Sequence, residues 1–326
     1  MYVELHAHSA YSFLDGASLP EELVVAALEL GYEAFALTDH NSVAGSMEFA
    51  QSAAALGLRA LHGAELDLAD GRHLTLLVRD ARGWANLCRL LTRAHAATRE
   101  RPGELGQPRV SLDDVLAHAE GLVCLSGCHA HGVHDEATLR RLREGFGSER
   151  LRVELQRPYL EGDRARNRRL AELARRLGLG CVASGDVHAH TRARAPLQDA
   201  LVALRLHSTL DASEPDRRGN WSHVLASPAA MAARFDEYRQ AVAETVSLAQ
   251  TLEFDLTRDL RYSYPGAEDQ GKLRELRELC EARLGERYDG GPPALRQEAS
   301  ARLQTELGLI DGLGLAGFFV LHHELL

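Results

Sequence analysis

Residues 1–17 read MYVELHAHSAYSFLDGA, and both the fold and the site are built outward from this stretch. Val3-Glu4-Leu5 has the character of a short buried strand, and His6-Ala7-His8 follows it directly. Residues two apart in an extended chain point to the same side, so the two imidazoles can face one point. The loop that follows can return Asp15 to that point. Because two imidazoles and a carboxylate are typical ligands of zinc or manganese, the stretch predicts a metal site.

Length and composition set broad limits on the protein. The 326 residues are 45% hydrophobic, which suits one large domain or two smaller ones with an ample core. The five cysteines are few, odd in number and scattered, as in proteins of a reducing compartment. A formal net charge of −10 argues against a sequence-nonspecific DNA-coating protein, but it permits an enzyme whose metals supply positive charge. Since neither a signal-peptide pattern nor a membrane-length apolar run is visible, we expect a cytoplasmic protein.

Short apolar strands alternate with amphipathic helices up to about residue 186. Such alternation predicts a parallel sheet, either open or closed into a barrel. Seven strand–helix units in about 190 residues favour the barrel. Beyond about residue 195 the strand pattern gives way to helices, with the last two predicted at 272–284 and 295–313. The predicted strands are 3–5, 34–37, 58–61, 73–78, 122–125, 151–155 and 181–184.

Side chains that can bind metals follow the carboxyl ends of most of these strands. That edge is where parallel barrels and sheets build their active sites. A His-x-His pattern alone is weak evidence because it occurs twice more in this chain, so the position after a strand is the stronger signal. His73 is the exception, since it starts its strand. The residues that follow strands are His6, His8, His40, Glu65, Cys128, Asp186 and His188.

Each candidate also has an ordinary structural explanation. His40 could cap the next helix, Glu65 could be a surface carboxylate, and Cys128 could be a small buried side chain, as Cys124 and Cys181 are interpreted to be. We favour metal ligation for the first three because each follows an apolar strand at the same predicted edge. The remaining histidines of these regions are interpreted as solvated or merely neighbouring, and they are His129, His131, His134 and His190.

Several short motifs resemble the polymerase and histidinol phosphatase (PHP) domain, in the version that opens the α subunit of bacterial DNA polymerase III. The C-terminal part, including 260–265 and 306–310, is also similar to that subunit, so the resemblance covers nearly the whole chain. The stretch 196–265 resembles the error-prone branch of these polymerases. The PHP-like motifs are His6-Ala7-His8-Ser9, Leu14-Asp15-Gly16-Ala17, Leu37-Thr38-Asp39-His40-Asn41, Gly63-Ala64-Glu65, His73-Leu74, Ser126-Gly127-Cys128 and Gly185-Asp186-Val187-His188.

The resemblance implies a distorted (βα)7 barrel followed by a mainly helical C-terminal extension. It assigns 1–262 to a PHP metal-dependent phosphoesterase domain and 263–326 to the truncated helical start of a polymerase palm. It further implies nine ligands for two or three divalent metals, zinc or manganese first, with magnesium or iron as alternatives. Error-prone members often lose several ligands, whereas all nine positions are filled here. The implied groups are His6, His8, Glu65 and Asp186 for one metal, Glu65, His73 and Cys128 for a second, and Asp15, His40 and His188 for a third.

The implied activity is hydrolysis of a phosphodiester, with Glu65, Asp186 and His188 as the catalytic residues. In the polymerase family this site is associated with 3′–5′ removal of nucleotides from a single-stranded DNA end. The implied partners are DNA, the rest of the polymerase chain and other replisome or repair subunits, with no membrane. Neither Gly-Arg-Gly-Ser nor Pro-Asp-x-Asp occurs, so the polymerase active site is absent and we expect no DNA synthesis from this chain alone.

Two other functions remain compatible with the sequence. The chain could be a structural module of a polymerase, in which metals only stabilise the fold. It could instead be a free-standing phosphatase of a small ester such as histidinol phosphate. Twelve arginines between Arg140 and Arg176 could contact a nucleic-acid backbone, but the acids among them favour solvated helix faces.

Overall fold

A curled sheet of six strands in sequence order forms the centre of the N-terminal part of the chain. The computed structural model describes residues 1–96, 98, 106–259 and 271–325. It divides the chain into two compact units, Met1–Leu260 and Arg261–Leu326. The strands are β1 (Ala34–Leu37), β2 (Arg59–Asp67), β3 (His73–Val78), β4 (Leu122–Leu125), β5 (Leu151–Gln156) and β6 (Gly180–Ser184).

The sheet is mixed, so the predicted all-parallel arrangement is wrong. β1–β2, β4–β5 and β5–β6 pair in parallel, whereas β3 is antiparallel to both of its neighbours. The segment 68–72 that joins β2 to β3 is long enough for a hairpin but too short for a parallel crossover. As a result His73, the first residue of β3, pairs with Asp67 at the carboxyl end of β2.

The N-terminal segment completes the curl. The predicted strand 3–5 is recorded only as single bridges, Glu4 to Phe35 of β1 and Ala7 to Val187 after β6. The amide of Ala36 donates to the Glu4 carbonyl at 2.9 Å, and that of His8 donates to the Val187 carbonyl at 2.7 Å. The segment thus pairs with edge strand β1 and with the residues that follow edge strand β6, so it connects the two edges of the sheet. The expected distorted barrel with alternating helices is therefore confirmed.

Helices connect the strands and cover the outside of the sheet. α1 begins with Pro20, whose missing N–H is not needed in a first turn, and α5 is capped by the Asp135 carboxylate, which accepts from the Thr138 amide at 2.8 Å. The predicted loop 100–110 lies mostly outside the described residues. The helices of this unit are α1 (Pro20–Glu29), α2 (Ser46–Leu56), α3 (Ala81–Ala96), α4 (Leu112–Ala117), α5 (Glu136–Phe146), α6 (Asp163–Leu177), α7 (Ala195–Arg205), α8 (Pro228–Arg234), α9 (Arg239–Thr251) and α10 (Leu256–Asp259), with short 3-10 helices at Arg192–Arg194, Glu214–Asp216 and Asp236–Tyr238.

Alternating residues of the strands build two apolar layers. One set, which includes Phe35 and Leu66, packs against the outer helices. The other set, which includes Leu61, lies inside the curl with Leu248 of α9 and Leu252, the residue that follows α9. Glu65 has the same parity as Leu61 along β2, so it also points inward, nearer the carboxyl end. The interior is thus apolar where α9 packs and polar at the opposite end.

The C-terminal unit is helical. It contains α11 (Lys272–Tyr288), α12 (Pro293–Gly312) and α13 (Ala316–Leu325), of which the sequence predicted the first two. Leu276, Leu307 and Val320 form its small buried cluster. In the described ranges no single helix is long and apolar enough to cross a membrane, although the bent pair α12–α13 passes that test on length and composition. The boundary after residue 262 and the palm assignment stay predictions.

Candidate metal centre

A cleft of ≈ 540 Å³ opens at the carboxyl edge of the barrel. All nine residues predicted as ligands lie in it or directly beneath it. His6, His8 and His188 are almost fully buried, at 0%, 1% and 0% exposure. The others line the cleft, and they are Asp15, His40, Glu65, His73, Cys128 and Asp186.

The hydrogen bonds of His6 and His8 define which ring nitrogen is free. His6 Nδ1 donates to Glu154 Oε1 at 2.7 Å. Ser12 Oγ donates to Asp39, so it accepts from His8 Nδ1 at 3.0 Å. Both Nε2 atoms are then the ring nitrogens left for another partner, and they lie 3.1 Å apart. Two imidazole nitrogens turned to one point suit a metal ion.

A second meeting of acceptors involves His188. Its Nδ1 donates to the Asp186 carbonyl at 2.9 Å, while Nε2 faces Asp15 Oδ2 at 3.1 Å. The Asp186 Oδ1 atom lies 3.6 Å from His8 Nε2 and 3.8 Å from His6 Nε2. Asp186 therefore stands between the two histidine pairs.

Glu65 is the common neighbour on the other side of the cleft. Its Oε2 atom lies 3.0 Å from His6 Nε2 and 3.3 Å from His73 Nε2, and its Oε1 lies 3.1 Å from His40 Nδ1. The Cys128 sulfur is 2.8 Å from His73 Nε2. This arrangement suits a carboxylate that bridges two metal ions.

Backbone geometry holds Cys128 against His73. Gly127 has φ +89°, and a Cβ on it would lie 2.3 Å from the carbonyl oxygen of His73. Only glycine fits such a left-handed position so close to another backbone. The Ser126-Gly127-Cys128 sequence thus fixes the sulfur beside the imidazole.

Burial and charge act in opposite directions on the pKa values of these groups. Burial opposes protonation of His6, but Glu154 and Glu65 outweigh it and raise the pKa of His6 well above its usual value. Burial and then Arg218 lower the pKa of His188 to about 3. Burial alone would raise the pKa of Asp186, but His188 and Arg218 hold it well below its usual range. At neutral pH the centre thus presents ionised carboxylates and a neutral His188.

The donor set fits divalent metals. Glu65 Oε2 and Asp15 Oδ1 are buried oxygens without a hydrogen-bond donor. Imidazole, carboxylate and thiolate together suit zinc or another transition metal. Potential donor atoms lie within 4.8 Å of one another in four groups, which are His6–His8–Asp186, His40–Glu65–His73, Cys128–His129–Asp186 and Asp186–His188–His223.

Residues 4–158 match the family model of the PHP domain. The chain carries a PHP domain.

Sequence similarity to curated proteins covers more of the chain than the PHP domain match does. An error-prone DNA polymerase of Symbiobacterium thermophilum is 34% identical over 343 residues, which cover 98% of this chain and 31% of that protein. One of Mycolicibacterium paratuberculosis is 36% identical over 347 residues, covering 99% of this chain and 31% of that protein. The chain therefore spans about a third of the length of the curated relatives it matches.

Two solved structures align with part of the chain. A two-domain protein of Bacteroides vulgatus containing a predicted PHP-like metal-dependent phosphoesterase aligns with a TM-score of 0.40 and 16% identity, over 58% of this chain and 52% of that one. A lesion-specific endonuclease of Pyrococcus furiosus aligns with a TM-score of 0.38 and 13% identity, over 57% of this chain and 48% of that one.

The PHP site differs from the implied grouping at His40. This side chain was expected with Asp15 and His188, but its recorded contacts are Glu65 at 3.1 Å and Asp67 at 3.0 Å. Both ring nitrogens thus face carboxylates, because His40 follows β1 and bridges in parallel to Glu65 of β2, two residues before Asp67. Burial opposes protonation, but Asp67 and Glu65 raise the pKa of His40 to about 10.

Four further residues contact the predicted ligands but were not singled out from the sequence. Asp67 could have been found, since it is two residues after Glu65 on one strand and shares its face. Glu154 lies at the carboxyl end of β5, the position that flagged the other candidates. His223 is held beside Asp186 by the pairing of Ala189 with Val224, at 3.2 Å from Asp186 Oδ2. Arg218 lies in a segment without a regular pattern and gave no signal.

Proposed function

We propose that this chain is a metal-dependent phosphodiesterase that removes nucleotides from a single-stranded DNA 3′ end in the 3′–5′ direction. The observation that carries the proposal is the convergence of histidine ring nitrogens with buried carboxylate oxygens in an open cleft. Zinc or manganese are the proposed metals, with magnesium or iron as alternatives. The polymerase relatives support a nucleic-acid substrate.

Each proposed ligand contributes through its placement. Glu65 lies within 3.3 Å of both His6 and His73, so it is the proposed bridge between two ions. Asp186 lies between His8 and His188 and faces the cleft. When bound, divalent metals lower the pKa of water and offset charge on phosphoryl oxygens. Glu65, Asp186 and His188 then hold and orient the hydrolytic centre.

The cleft also carries groups that suit a nucleic-acid strand. Arg205 and Arg217 line it and can contact phosphates. Two exposed aromatic side chains lie near lining residues in sequence: Tyr159 (57% exposed) precedes Leu160, and Trp221 (45% exposed) is two residues after Gly219. The two segments also contact each other. Asn220, which precedes Trp221, donates from Nδ2 to the Tyr159 carbonyl at 3.4 Å. Exposed aromatics beside arginines are typical platforms for stacking bases.

Backbone geometry supports a functional role for these two rings. Tyr159 has φ 61° and Trp221 has φ 51°, the left-handed region that bulky residues rarely adopt. Such positions cost about 1–3 kcal/mol each and cluster at functional sites. If the rings stack on bases, Trp221→Ala raises the KM for single-stranded DNA but not for bis-p-nitrophenyl phosphate.

The proposed biological setting is the N-terminal region of a larger bacterial DNA polymerase in the cytoplasm. The remaining polymerase segments and other replisome or repair subunits are the proposed partners. Two alternatives compete with nuclease activity, a metal-stabilised structural module and a phosphatase of a small ester. All three use the same ligands, so only an assay of substrates separates them.

The test compares four substrates with protein loaded with manganese or zinc. They are 5′-labelled linear single-stranded DNA, circular single-stranded DNA, histidinol phosphate and p-nitrophenyl phosphate. We expect metal-dependent shortening of the linear strand from its 3′ end and an intact circle. Cutting of the circle would indicate an endonuclease, and release of phosphate from the monoesters alone would support the phosphatase. Bound metal without any hydrolysis would support the structural module.

A further inference from the structure

The guanidinium of Arg218 lies inside the metal centre. Its Nη2 donates to Asp15 Oδ2 at 2.8 Å, and Nη1 lies 3.4 Å from Asp186 Oδ2. The side chain is only 24% exposed. A second arginine, Arg205, approaches the other Asp15 oxygen, Oδ1, at 3.4 Å. Both oxygens of Asp15 therefore face a fixed positive charge supplied by the chain.

Among the described residues, no guanidinium or ammonium group pairs with Glu65, His6 or His8 on the other side of the centre. The two Nε2 atoms of His6 and His8 face each other, and Glu65 Oε2 has no hydrogen-bond donor. The side chains around them are imidazoles and carboxylates, which are typical metal ligands. In the part of the chain that the structure describes, the arginine contacts to the proposed ligands are thus on the side of Asp15 and Asp186.

His40 strengthens the contrast between the two sides. The side chains implied for a third metal are Asp15, His40 and His188, but His40 is bonded to Glu65 and Asp67. That leaves His188 Nε2 and Asp15 Oδ2, and Arg218 already occupies this oxygen. The third position therefore has two of its implied ligands and a competing cation.

We propose that Arg218 takes the place of the third metal, so that the centre holds two metal ions and one guanidinium. The inference rests on the proposed metal-dependent function and refines its metal count. A guanidinium is always charged in proteins and presents a planar set of N–H donors that match phosphate oxygens. Arg218 Nε is buried without an acceptor. Held by Asp15 and Asp186, Arg218 can offer remaining N–H groups to a substrate phosphate.

Metal stoichiometry tests the proposal. The full chain is stripped with chelator, dialysed against excess manganese or zinc, passed through a desalting column and measured by elemental analysis. We expect two ions per chain for the wild type. Arg218→Ala frees Asp15 and opens space beside His188, so we expect three. Arg218→Lys keeps a cation of similar reach, so we expect two.

Arg217→Ala is the matched control. Arg217 is the neighbouring residue and also lines the cleft, but it pairs with Asp199 at 3.1 Å instead of a proposed ligand. We expect its count to stay at two.

Three ions in the wild type, or two in folded Arg218→Ala, would overturn the proposal. If Arg218→Ala does not fold, the counts for the wild type and Arg218→Lys still decide, because three ions in either contradicts it. Less than one ion in the wild type would overturn the proposed function as well, which separates that failure from a wrong count.

Discussion

Strand β2 carries buried polar side chains on both of its faces, and the two environments differ. On the outer face, the His62 ring lies among Phe49, Trp84 and Phe254, with centroid distances of 6.0, 6.1 and 6.1 Å. Its Nδ1 has no hydrogen-bond partner. On the inner face, Glu65 lies within 3.3 Å of histidine nitrogens from three other segments.

The opposite pKa shifts show what the difference means. Burial lowers the pKa of His62 to about 4, and the Asp255 carboxylate only partly opposes it, so this imidazole stays neutral. Burial also acts on His6, yet its carboxylate neighbours raise its pKa well above normal. A histidine buried for packing needs no ionic partners. A cluster of histidines and carboxylates, buried where each charge costs solvation, indicates a site that binds cations.

The largest expected effect is on the rate of catalysis, when carboxylates on the inner side of the sheet are replaced. Glu65→Gln and Asp186→Asn keep the side-chain volume but remove a charged oxygen each. We expect the rate of nucleotide release to fall by at least ~10²-fold, on the scale of losing a charge-stabilising group at a reaction centre. Rates are measured on 5′-labelled single-stranded DNA at saturating metal.

Arg169→Ala on the exposed face of α6 is the control for that experiment. We expect its maximal rate to be unchanged and its binding to weaken slightly, mainly at low salt. An equal loss of rate in this variant, or full activity in folded Glu65→Gln, would contradict the assignment of the site.

The second effect is on stability. Metals that tie together segments from Met1 to His188 bind only the folded chain, so they stabilise it. At a thousandfold excess over Kd the gain is about 4 kcal/mol, which corresponds to a shift in Tm on the order of 10 °C. Thermal melts with and without chelator measure it. Elemental analysis first confirms that the chelator has removed the metals. If the Tm is then unchanged, metal binding does not stabilise the fold.

The contrast across β2 also shows what the sequence could predict. Strand-end position brought out seven of the nine residues, because it depends on local order along the chain, and the loop after His8 brought out Asp15. The full set of nine came from the family resemblance. The exceptional position of His73 at a strand start is explained by the reversed direction of β3, which places that start at the active edge. Only the short connection 68–72 carried this information.

The remaining parts of the site depend on contacts that sequence order does not encode. Glu154 meets His6 across 148 positions of sequence, and Arg218 meets Asp15 across 203. His40 was grouped by resemblance with Asp15 and His188, but its parallel bridge to Glu65 places it beside Asp67. Arginines of the 140–176 region, conspicuous in the sequence, largely pair with acids, as Arg175 does with Glu172 at 2.7 Å.

The third expected effect is on metal affinity, and it concerns Glu154, a carboxylate that does not line the cleft. Glu154 accepts from His6 Nδ1 and so keeps His6 Nε2 free for a metal. Outer partners of this type are worth about 10–100-fold in metal affinity. We expect Glu154→Gln to weaken metal binding by that factor, measured by competition with a chromophoric chelator. Glu172→Gln, an exposed carboxylate on α6, serves as the control and should bind as the wild type does.

The smallest expected effect is on the pH dependence of stability, and it tests the apolar surroundings of His62 on the outer face of β2. The pKa of His62 is about 4 in the folded chain and about 6.5 in an unfolded one, so the unfolded state binds the proton more tightly. Its contribution to stability is therefore complete above pH 6.5 and is lost as the pH falls towards 4. Between pH 7 and pH 5 the loss is about 2 kcal/mol. His62→Leu keeps an apolar side chain of similar size and removes this titration. Denaturant unfolding of chelator-treated protein at both pH values should show the wild type losing about 2 kcal/mol more than His62→Leu. Equal losses would mean that His62 gains a partner or water in solution, and the contrast between the two faces of β2 would then no longer hold.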